Sequence, residues 1–178
     1  MKKMDNYTEK ELLDKIENFR PENDDFTPLE NLFNEFYDKF LKTNTSNKVI
    51  VTLFKVLERF SEVSEPNVFW NIMYSLEDMD GFEQEYVNSL KRKTSDITIM
   101  NLNALFNSNI TYVGNEKMED LLDHIINNPN TSSSTVKYIK EEFVKIEKKE
   151  EKVRNEIELK KKTSDKNIKE KSKKWWKF

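Results

Sequence analysis

The sequence predicts an all-α protein built from stacked antiparallel helical hairpins. The 178 residues include only 2 glycines and 4 prolines, so few positions interrupt a helix. Apolar residues recur at helical spacing in one segment after another, and short polar turns separate these segments. Short helices that are joined by short turns are typical of hairpins that bury their apolar faces against each other.

Capping signals locate the first two helices. A Thr-x-x-Glu capping box at 8–11 predicts a short helix over about 8–18. The polar, proline-containing segment 20–26 is predicted to be a loop. Thr-Pro-Leu-Glu at 27–30 then combines an N-cap threonine, an N1 proline and an N3 acid, which predicts the start of the second helix. The apolar stripe expected to be buried on that helix consists of Leu29, Leu32, Phe33, Phe36, Tyr37 and Phe40.

Further helices follow along the middle of the chain, each with a polar or proline-containing start and its own apolar stripe. Their ranges or start signals are 47–61, Ser64-x-Pro66, Asp80-Gly81-x-Glu83, Ser95 as the cap of 96–107, and 115–127.

The Ser- and Thr-rich run at 131–135 opens a long, charged C-terminal helix. Its heptad apolar pattern and its Glu–Lys pairs at i, i+4 extend past the expected end of the core. We therefore predict an acidic helical domain over 1–147 and a charged, basic helical extension with a frayed tail over 148–178. Although no exact repeat is present, the regular helix spacing predicts a HEAT-like right-handed superhelix.

The two parts of the chain differ in charge. Residues 1–146 carry 17 Lys and Arg against 26 Asp and Glu, a net charge of −9. Residues 147–178 carry 13 against 7, a net charge of +6. An acidic body repels nucleic-acid phosphates and complements basic protein surfaces. We therefore expect a protein partner and no nucleic acid.

Composition also narrows the chemistry. The chain has no cysteine, a single histidine (His124), and only Gly81 and Gly114 as glycines, so thiolate sites and glycine-rich phosphate loops are excluded. We expect no catalytic residues, no metal and no cofactor, and hence no enzyme. The N-terminus lacks the apolar run of a secretory signal and no apolar segment is long enough to span a bilayer, so a cytoplasmic protein is expected. The tail around Trp175 and Trp176 lacks an amphipathic face, which favours a solubilising extension over membrane contact.

Two acidic clusters supply the candidate partner-binding residues. The junction acids are five carboxylates within nine residues, where one predicted helix gives way to the next: Glu77, Asp78, Asp80, Glu83 and Glu85. The loop acids lie in the predicted loop 20–26: Glu22, Asp24 and Asp25.

Helix capping accounts for part of the junction cluster. Asp80 is expected to be the N-cap of the next helix, with Glu83 and Glu85 near its electropositive end. The exposed remainder, chiefly Asp78 and Glu85, is expected to form a docking patch. The spacing does not fit a calcium-binding loop, because no bidentate glutamate stands at the twelfth position.

One stretch of about 75 residues, from Phe69 to Phe143, carries a pattern of residue types along its whole length. An aromatic helix, FWNIMYSLE, is followed by an acidic break with a glycine and by GFEQEYVNSL, ITIMNLNALFNSNI and MEDLLDHIINNP. This pattern resembles the small helical immunity proteins of bacterial polymorphic-toxin and contact-dependent inhibition systems. Glu77 and Asn107 are the positions associated with the pattern, and the charged C-terminal extension is not part of it.

The resemblance implies a non-enzymatic protein that binds one cognate toxin domain and occludes its active site. Many such toxins are nucleases and therefore basic, which suits an acidic helical body. Carboxylates would stand in for substrate phosphates and would accelerate association. The docking surface would then include the junction acids and the loop acids.

Two other functions stay open at this stage. The chain can be a helical scaffold or regulatory module that dimerises through its C-terminal helix, or an enzyme that uses paired carboxylates with a divalent metal. Stoichiometry separates the first from an immunity protein, because an immunity protein forms a one-to-one complex with its toxin. The oligomeric state itself is not predicted.

Overall fold

The computed structural model describes residues 7–41, 46–63 and 65–143. This part of the chain is mostly helical, which confirms the all-α prediction. The helices are α1 (Glu9–Asn18), α2 (Thr27–Phe36), α3 (Asn47–Arg59), α4 (Asn67–Glu77), α5 (Phe82–Arg92), α6 (Asp96–Asn107) and α7 (Met118–Asn127). A π-helical turn, Tyr37–Leu41, continues α2, and the antiparallel strands β1 (Tyr112–Val113) and β2 (Glu116–Lys117) precede α7.

The chain divides into two compact units, Met1–Val136 and Lys137–Phe178. The first unit contains α1 to α7 and the β1–β2 hairpin. In the second unit the described residues, 137–143, are helical. The predicted boundary at 147 and the basic extension of 148–178 lie outside the described residues and stay predictions.

The helices of the first unit pack in two layers. One layer consists of α1, α3, α5 and α7, each in contact with the next, and we call it the odd layer. The other consists of α2, α4 and α6, likewise in contact in that order, and we call it the even layer. Helices of the two layers also contact each other, as α1 does with α2, α3 with α4, α4 with α5, and α5 with α6. Stacked helical hairpins pack in this way, since each hairpin buries its apolar faces against its neighbours.

An aromatic cluster joins the beginnings of α2 and α4. Phe26, which precedes α2, meets Phe69 near the start of α4 edge-on at 5.2 Å between ring centroids. Phe60, which follows α3, packs edge-on against Phe26 at the same distance. Phe19, at the end of α1, completes the cluster at 6.1 Å from Phe26. This contact holds α2 and α4 side by side with their N-terminal ends together.

The capping signals read from the sequence are confirmed for α1 and α6. The N–H of Glu11 donates to the hydroxyl of Thr8, and the Glu11 carboxylate accepts from the N–H of Thr8 at 2.8 Å. The N–H of Thr98 donates to the hydroxyl of Ser95, and the Thr98 hydroxyl accepts from the N–H of Ser95 at 2.9 Å. Ser132 caps the next helical stretch, which begins at residue 133, by accepting from the N–H of Thr135.

Three local predictions are wrong. Thr27 is the first residue of α2 and not its cap: the N-cap is Phe26, and the N–H of Thr27 donates to the carboxylate of Asp25 at 2.9 Å. Tyr37 is 37% exposed, because it lines the open groove between α2 and α4 and is not packed in the core. The helix predicted over 115–127 begins only at Met118, because Gly114, with φ of +56°, reverses the chain into the β1–β2 hairpin. The predicted start signal at Ser64 lies outside the described residues.

None of the helices in residues 7–41, 46–63 and 65–143 combines the length and the apolar character that crossing a bilayer demands.

Tyr86 provides a test of the core. Its side chain is fully buried on α5, and its hydroxyl donates a hydrogen bond of 2.8 Å to the carbonyl of Thr98. We expect Tyr86→Phe to lower the free energy of unfolding by about 1 kcal/mol at neutral pH, the typical value of one such bond. Urea denaturation measures the change. Tyr112→Phe, on the exposed strand β1, is the control and should have no effect.

The same tyrosine predicts a pH dependence. Burial, with a smaller effect from the charge of Glu77, raises the pKa of Tyr86 well above its ordinary value of 10. The folded state therefore keeps the phenol proton at pH values where the unfolded chain has lost it. Stability from Tyr86 is full below pH 10 and is lost as the pH rises above it. The stability difference between wild type and Tyr86→Phe should therefore shrink above pH 10, and a constant difference would contradict this assignment.

Candidate functional site

The junction acids occupy the end of α4, the connection that follows, and the start of α5. Glu77 is the last residue of α4 and Asp78 is its C-cap. Asp80 lies in the connection, and Glu83 lies in the first turn of α5. These four carboxylates are exposed.

The fifth junction acid, Glu85, was expected to be exposed, and that expectation is wrong. Glu85 is only 8% exposed, and its carboxylate accepts a hydrogen bond of 2.7 Å from the guanidinium of Arg92. The same guanidinium binds Glu58 on α3 at 2.7 Å, and Asn88 donates to Glu85 at 3.1 Å. Burial acts to lower the pKa of Arg92, but the hydrogen bonds and charges of Glu58 and Glu85 outweigh it and raise the pKa. Glu85 therefore links α5 to α3 and is not available to a partner.

The prediction that Asp80 caps α5 is also wrong. The N-cap is Gly81, whose φ of +84° is a left-handed conformation that glycine adopts without strain, and no side chain caps this helix. The Asp80 carboxylate has no hydrogen-bond or ion-pair partner among the described residues. Asp80 therefore remains available as a surface charge near the electropositive end of α5.

Glu77 is held by α6. Its carboxylate accepts a hydrogen bond from the side-chain amide of Asn101, which is 8% exposed. The amide oxygen of Asn101 is buried and has no partner in the described part of the chain. Asn107, which the resemblance associates with Glu77, lies exposed at the end of α6 and donates to Asn103 at 3.3 Å instead. The polar contact between α4 and α6 therefore uses Asn101 and not Asn107.

Helix stability does not explain Asp78. A carboxylate at a helix C-terminus faces the negative end of the helix dipole, which costs about 0.3–1 kcal/mol. The last turn of α4 has no basic residue that would compensate. The Asp78 carboxylate has no hydrogen-bond or ion-pair partner within the described ranges. The position therefore suits a group that contacts something outside the chain.

The loop acids form a tight turn before α2. The N–H of Asp25 donates to the carbonyl of Glu22 at 3.0 Å, and the residues between them, Asn23 and Asp24, have φ of 51° and 58°. The hydrogen bonds with Thr27 lower the pKa of Asp25. All three loop acids are exposed, and Asp25 in addition accepts the N–H of Thr27 at the start of α2.

The structure does not bring the loop acids and the junction acids together. Phe26, which adjoins the loop acids, packs on Phe69 near the start of α4, whereas Asp78 follows the end of that helix. A helix rises about 1.5 Å per residue, so roughly 13 Å of helix axis separates Phe69 from Asp78. The two clusters lie at opposite ends of α4.

A groove of about 260 Å³ lies between α2 and α4, beside Asp78. Phe33 and Ser75 are the buried residues of its lining. We call it the tyrosine groove. Its more exposed lining residues are Asn34, Tyr37, Asn71, Tyr74 and Asp78. Tyr74 is 56% exposed, and Trp70 stacks on its ring at 5.8 Å. We did not predict the groove from the sequence, although Asn71, Tyr74 and Asp78 follow one face of α4 at i, i+3 and i+7.

Cationic residues are segregated by layer. The three helices of the even layer, all of whose residues are described, contain no lysine or arginine. Lys39, in the π-helical turn after α2, is paired with Glu35. The helices of the even layer therefore contribute carboxylates but no lysine or arginine to the surface. The cationic residues of the odd-layer helices are Lys10, Lys15, Lys48, Lys55, Arg59, Lys91 and Arg92.

A second, polar cavity of about 540 Å³ lies where α3 and α5 end, next to the loop after α7. Its charged lining residues are Arg59, Lys93 and Glu62. The guanidinium of Arg59 donates to the carbonyl oxygens of Glu17 and, at 3.3 Å, Ile16 at the end of α1. Arg59 therefore links α3 to α1 and is engaged in the fold.

The described residues contain no metal cluster, and no match to a known protein indicates the function. No group of three or more His, Asp or Glu side chains is placed to hold a metal ion in the described ranges, and His124 is exposed. Comparisons of the chain with protein-family models, with curated protein sequences and with solved structures find no match. The geometry and charge of the chain itself are therefore the basis for assigning a function.

The link between Glu58, Arg92 and Glu85 gives a stability prediction. Arg92→Ala should lower the free energy of unfolding by about 2 kcal/mol, because it leaves two largely buried carboxylates without their cation. The value lies below the 3–5 kcal/mol of a fully buried pair because the Arg92 side chain is 41% exposed. Lys91→Ala is the matched control, since Lys91 forms a surface pair with Glu116, and should change stability by less than about 0.5 kcal/mol. Equal effects of the two variants would contradict the structural role of Glu85.

Proposed function

We propose that this chain neutralises a basic toxin domain by binding it one-to-one and occluding its active site. The observation that supports this most directly is the surface at the end of α4, where the carboxylates of Glu77, Asp78 and Asp80 are exposed close to Tyr74. The helices α2, α4 and α6 contain no lysine or arginine that would offset these charges. A basic protein surface is the complement of such a face. The resemblance of 69–143 to immunity proteins supports the same function.

Electrostatic attraction and steric exclusion would act together. Glu77, Asp78, Asp80 and Glu83 present exposed carboxylates near the α4–α5 connection. Facing a toxin that cleaves nucleic acid, these groups would occupy the positions of substrate phosphates and would speed association. Glu85 would contribute only by fixing α5 to α3. No cofactor and no catalysis by this chain is part of the proposal.

The proposal includes two finer statements about the molecule. The two-layer packing of α1 to α7 supports a HEAT-like right-handed superhelix, whose stacked hairpins present one layer as an extended binding face. We also propose that the protein acts in the cytoplasm, which the absence of cysteine in the chain permits.

Co-purification tests the function. The chain is expressed with the toxin domain encoded beside it, and the complex is analysed by size, stoichiometry and toxin activity at low and high salt. We expect a one-to-one complex that lacks toxin activity and weakens as salt screens the charges. Binding without inhibition, or a homodimer of this chain that ignores the toxin, would contradict the proposal, and the homodimer would favour a scaffold.

A charge-matched pair of variants locates the contact. Asp78→Lys should raise the Kd for the toxin domain at least tenfold, about 1.4 kcal/mol, because it places a like charge against a basic surface. Asp24→Lys changes the net charge equally but lies at the other end of α4, and should change the Kd by less than about twofold. Equal loss in both variants would contradict docking on the even layer near Asp78.

A further inference from the structure

We propose that the tyrosine groove receives an arginine side chain from the partner, with the guanidinium beside the rings of Tyr37 and Tyr74 and paired with Asp78. The proposal rests on the proposed function for the class of partner, a basic protein. The preference for arginine depends only on the residues that line the groove.

The groove attracts a cation. Asp78 lines it at the C-terminal end of α4, where the last carbonyl groups carry partial negative charge. The Asp78 carboxylate has no hydrogen-bond or ion-pair partner among the described residues, so it can accept from an incoming guanidinium. The groove lining contains no lysine or arginine that would repel this cation.

The tyrosines favour arginine over lysine. A guanidinium is planar and stacks on an aromatic ring while it donates two hydrogen bonds to one carboxylate, which an ammonium group does not do. Trp70 stacks on Tyr74 at 5.8 Å and so restricts the orientation of that ring. The side-chain amides of Asn34 and Asn71 add oxygen acceptors among the lining residues.

The size of the groove fits a side chain and not a metabolite. Its volume of about 260 Å³ lies below the range of about 300–1,000 Å³ that is usual for small-molecule sites. Phe33, buried in the lining, offers an apolar surface for the methylene groups of an arginine. These features suit one side chain of a larger partner.

A peptide probe tests the groove without knowledge of the toxin. The chain contains 3 tryptophans, so Trp175→Phe with Trp176→Phe leaves Trp70 as the only reporter beside the groove. Blocked octa-arginine, octa-lysine and octa-glutamate are titrated at physiological salt, with Trp70 fluorescence and calorimetry as readouts. We expect a saturable fluorescence change with octa-arginine, weaker binding of octa-lysine, and none of octa-glutamate.

Two pairs of variants separate the groove from general attraction to an acidic protein. In the same titration, Asp78→Asn should weaken octa-arginine binding about tenfold, whereas Asp24→Asn, with the same change in net charge, should weaken it less than twofold. By calorimetry, Tyr74→Ala should weaken binding and Tyr112→Ala should not, although the two tyrosines are similarly exposed, at 56% and 53%. Equal effects within either pair would overturn the proposal.

The outcomes for the groove and for the function are distinguishable. Arginine binding that depends on Asp78, together with a toxin domain that is not bound, supports the groove and overturns the proposed function. A neutralised toxin whose affinity is unchanged in Tyr74→Ala supports the function and overturns the groove. A second copy of this chain is the alternative occupant of the groove, and sedimentation in the absence of peptide tests for it. A homodimer that dissociates in Asp78→Asn would show a second copy in the groove. That result would overturn the assignment to a partner's arginine.

Discussion

The contact of Phe26 with Phe60 and Phe69 is the interaction on which the rest of the structure depends. It joins the beginnings of α2 and α4, so the two helices lie side by side in the even layer. Because they lie side by side, Tyr37 at the end of α2 and Tyr74 near the end of α4 line the same groove. The same contact keeps the loop acids near the start of α4, away from Asp78. Aromatic packing in the core thus determines which surface charges act together.

The distribution of cations has a structural explanation in the odd layer, and in the even layer it is the basis of the proposed function. In the odd layer, Arg59 binds the end of α1 and Arg92 joins α5 to α3, so these cations stabilise contacts between helices. The even layer has no such pairs from its own helices and joins α4 to α6 by the uncharged amide of Asn101 on Glu77. Glu35 is paired with Lys39 after α2, but Asp78 and Asp80, which follow α4, have no hydrogen-bond or ion-pair partner among the described residues. In the proposed function these two carboxylates would attract a basic partner.

Helices could be predicted from the sequence where the signal was local. The capping boxes at Thr8 and Ser95 use residues three positions apart, and both helix starts agree with the structure. The fate of Glu85 could not be predicted, because its burial depends on Glu58, on another helix, and on Arg92, two turns along α5. The exposure of Tyr37 could not be predicted either, because it depends on the groove that α2 forms with α4. The groove arises from two helices far apart in sequence, so its lining follows only from their packing.

The central claim is that the even layer is the surface that binds the partner. Amide hydrogen exchange of the chain, alone and in complex with the toxin domain, tests it most directly. We expect slower exchange in the complex over 34–37 and 71–78, with the loop 22–25 and the β1–β2 hairpin unchanged. Protection confined to the loop or to the odd-layer helices, with 71–78 unaffected, would contradict it.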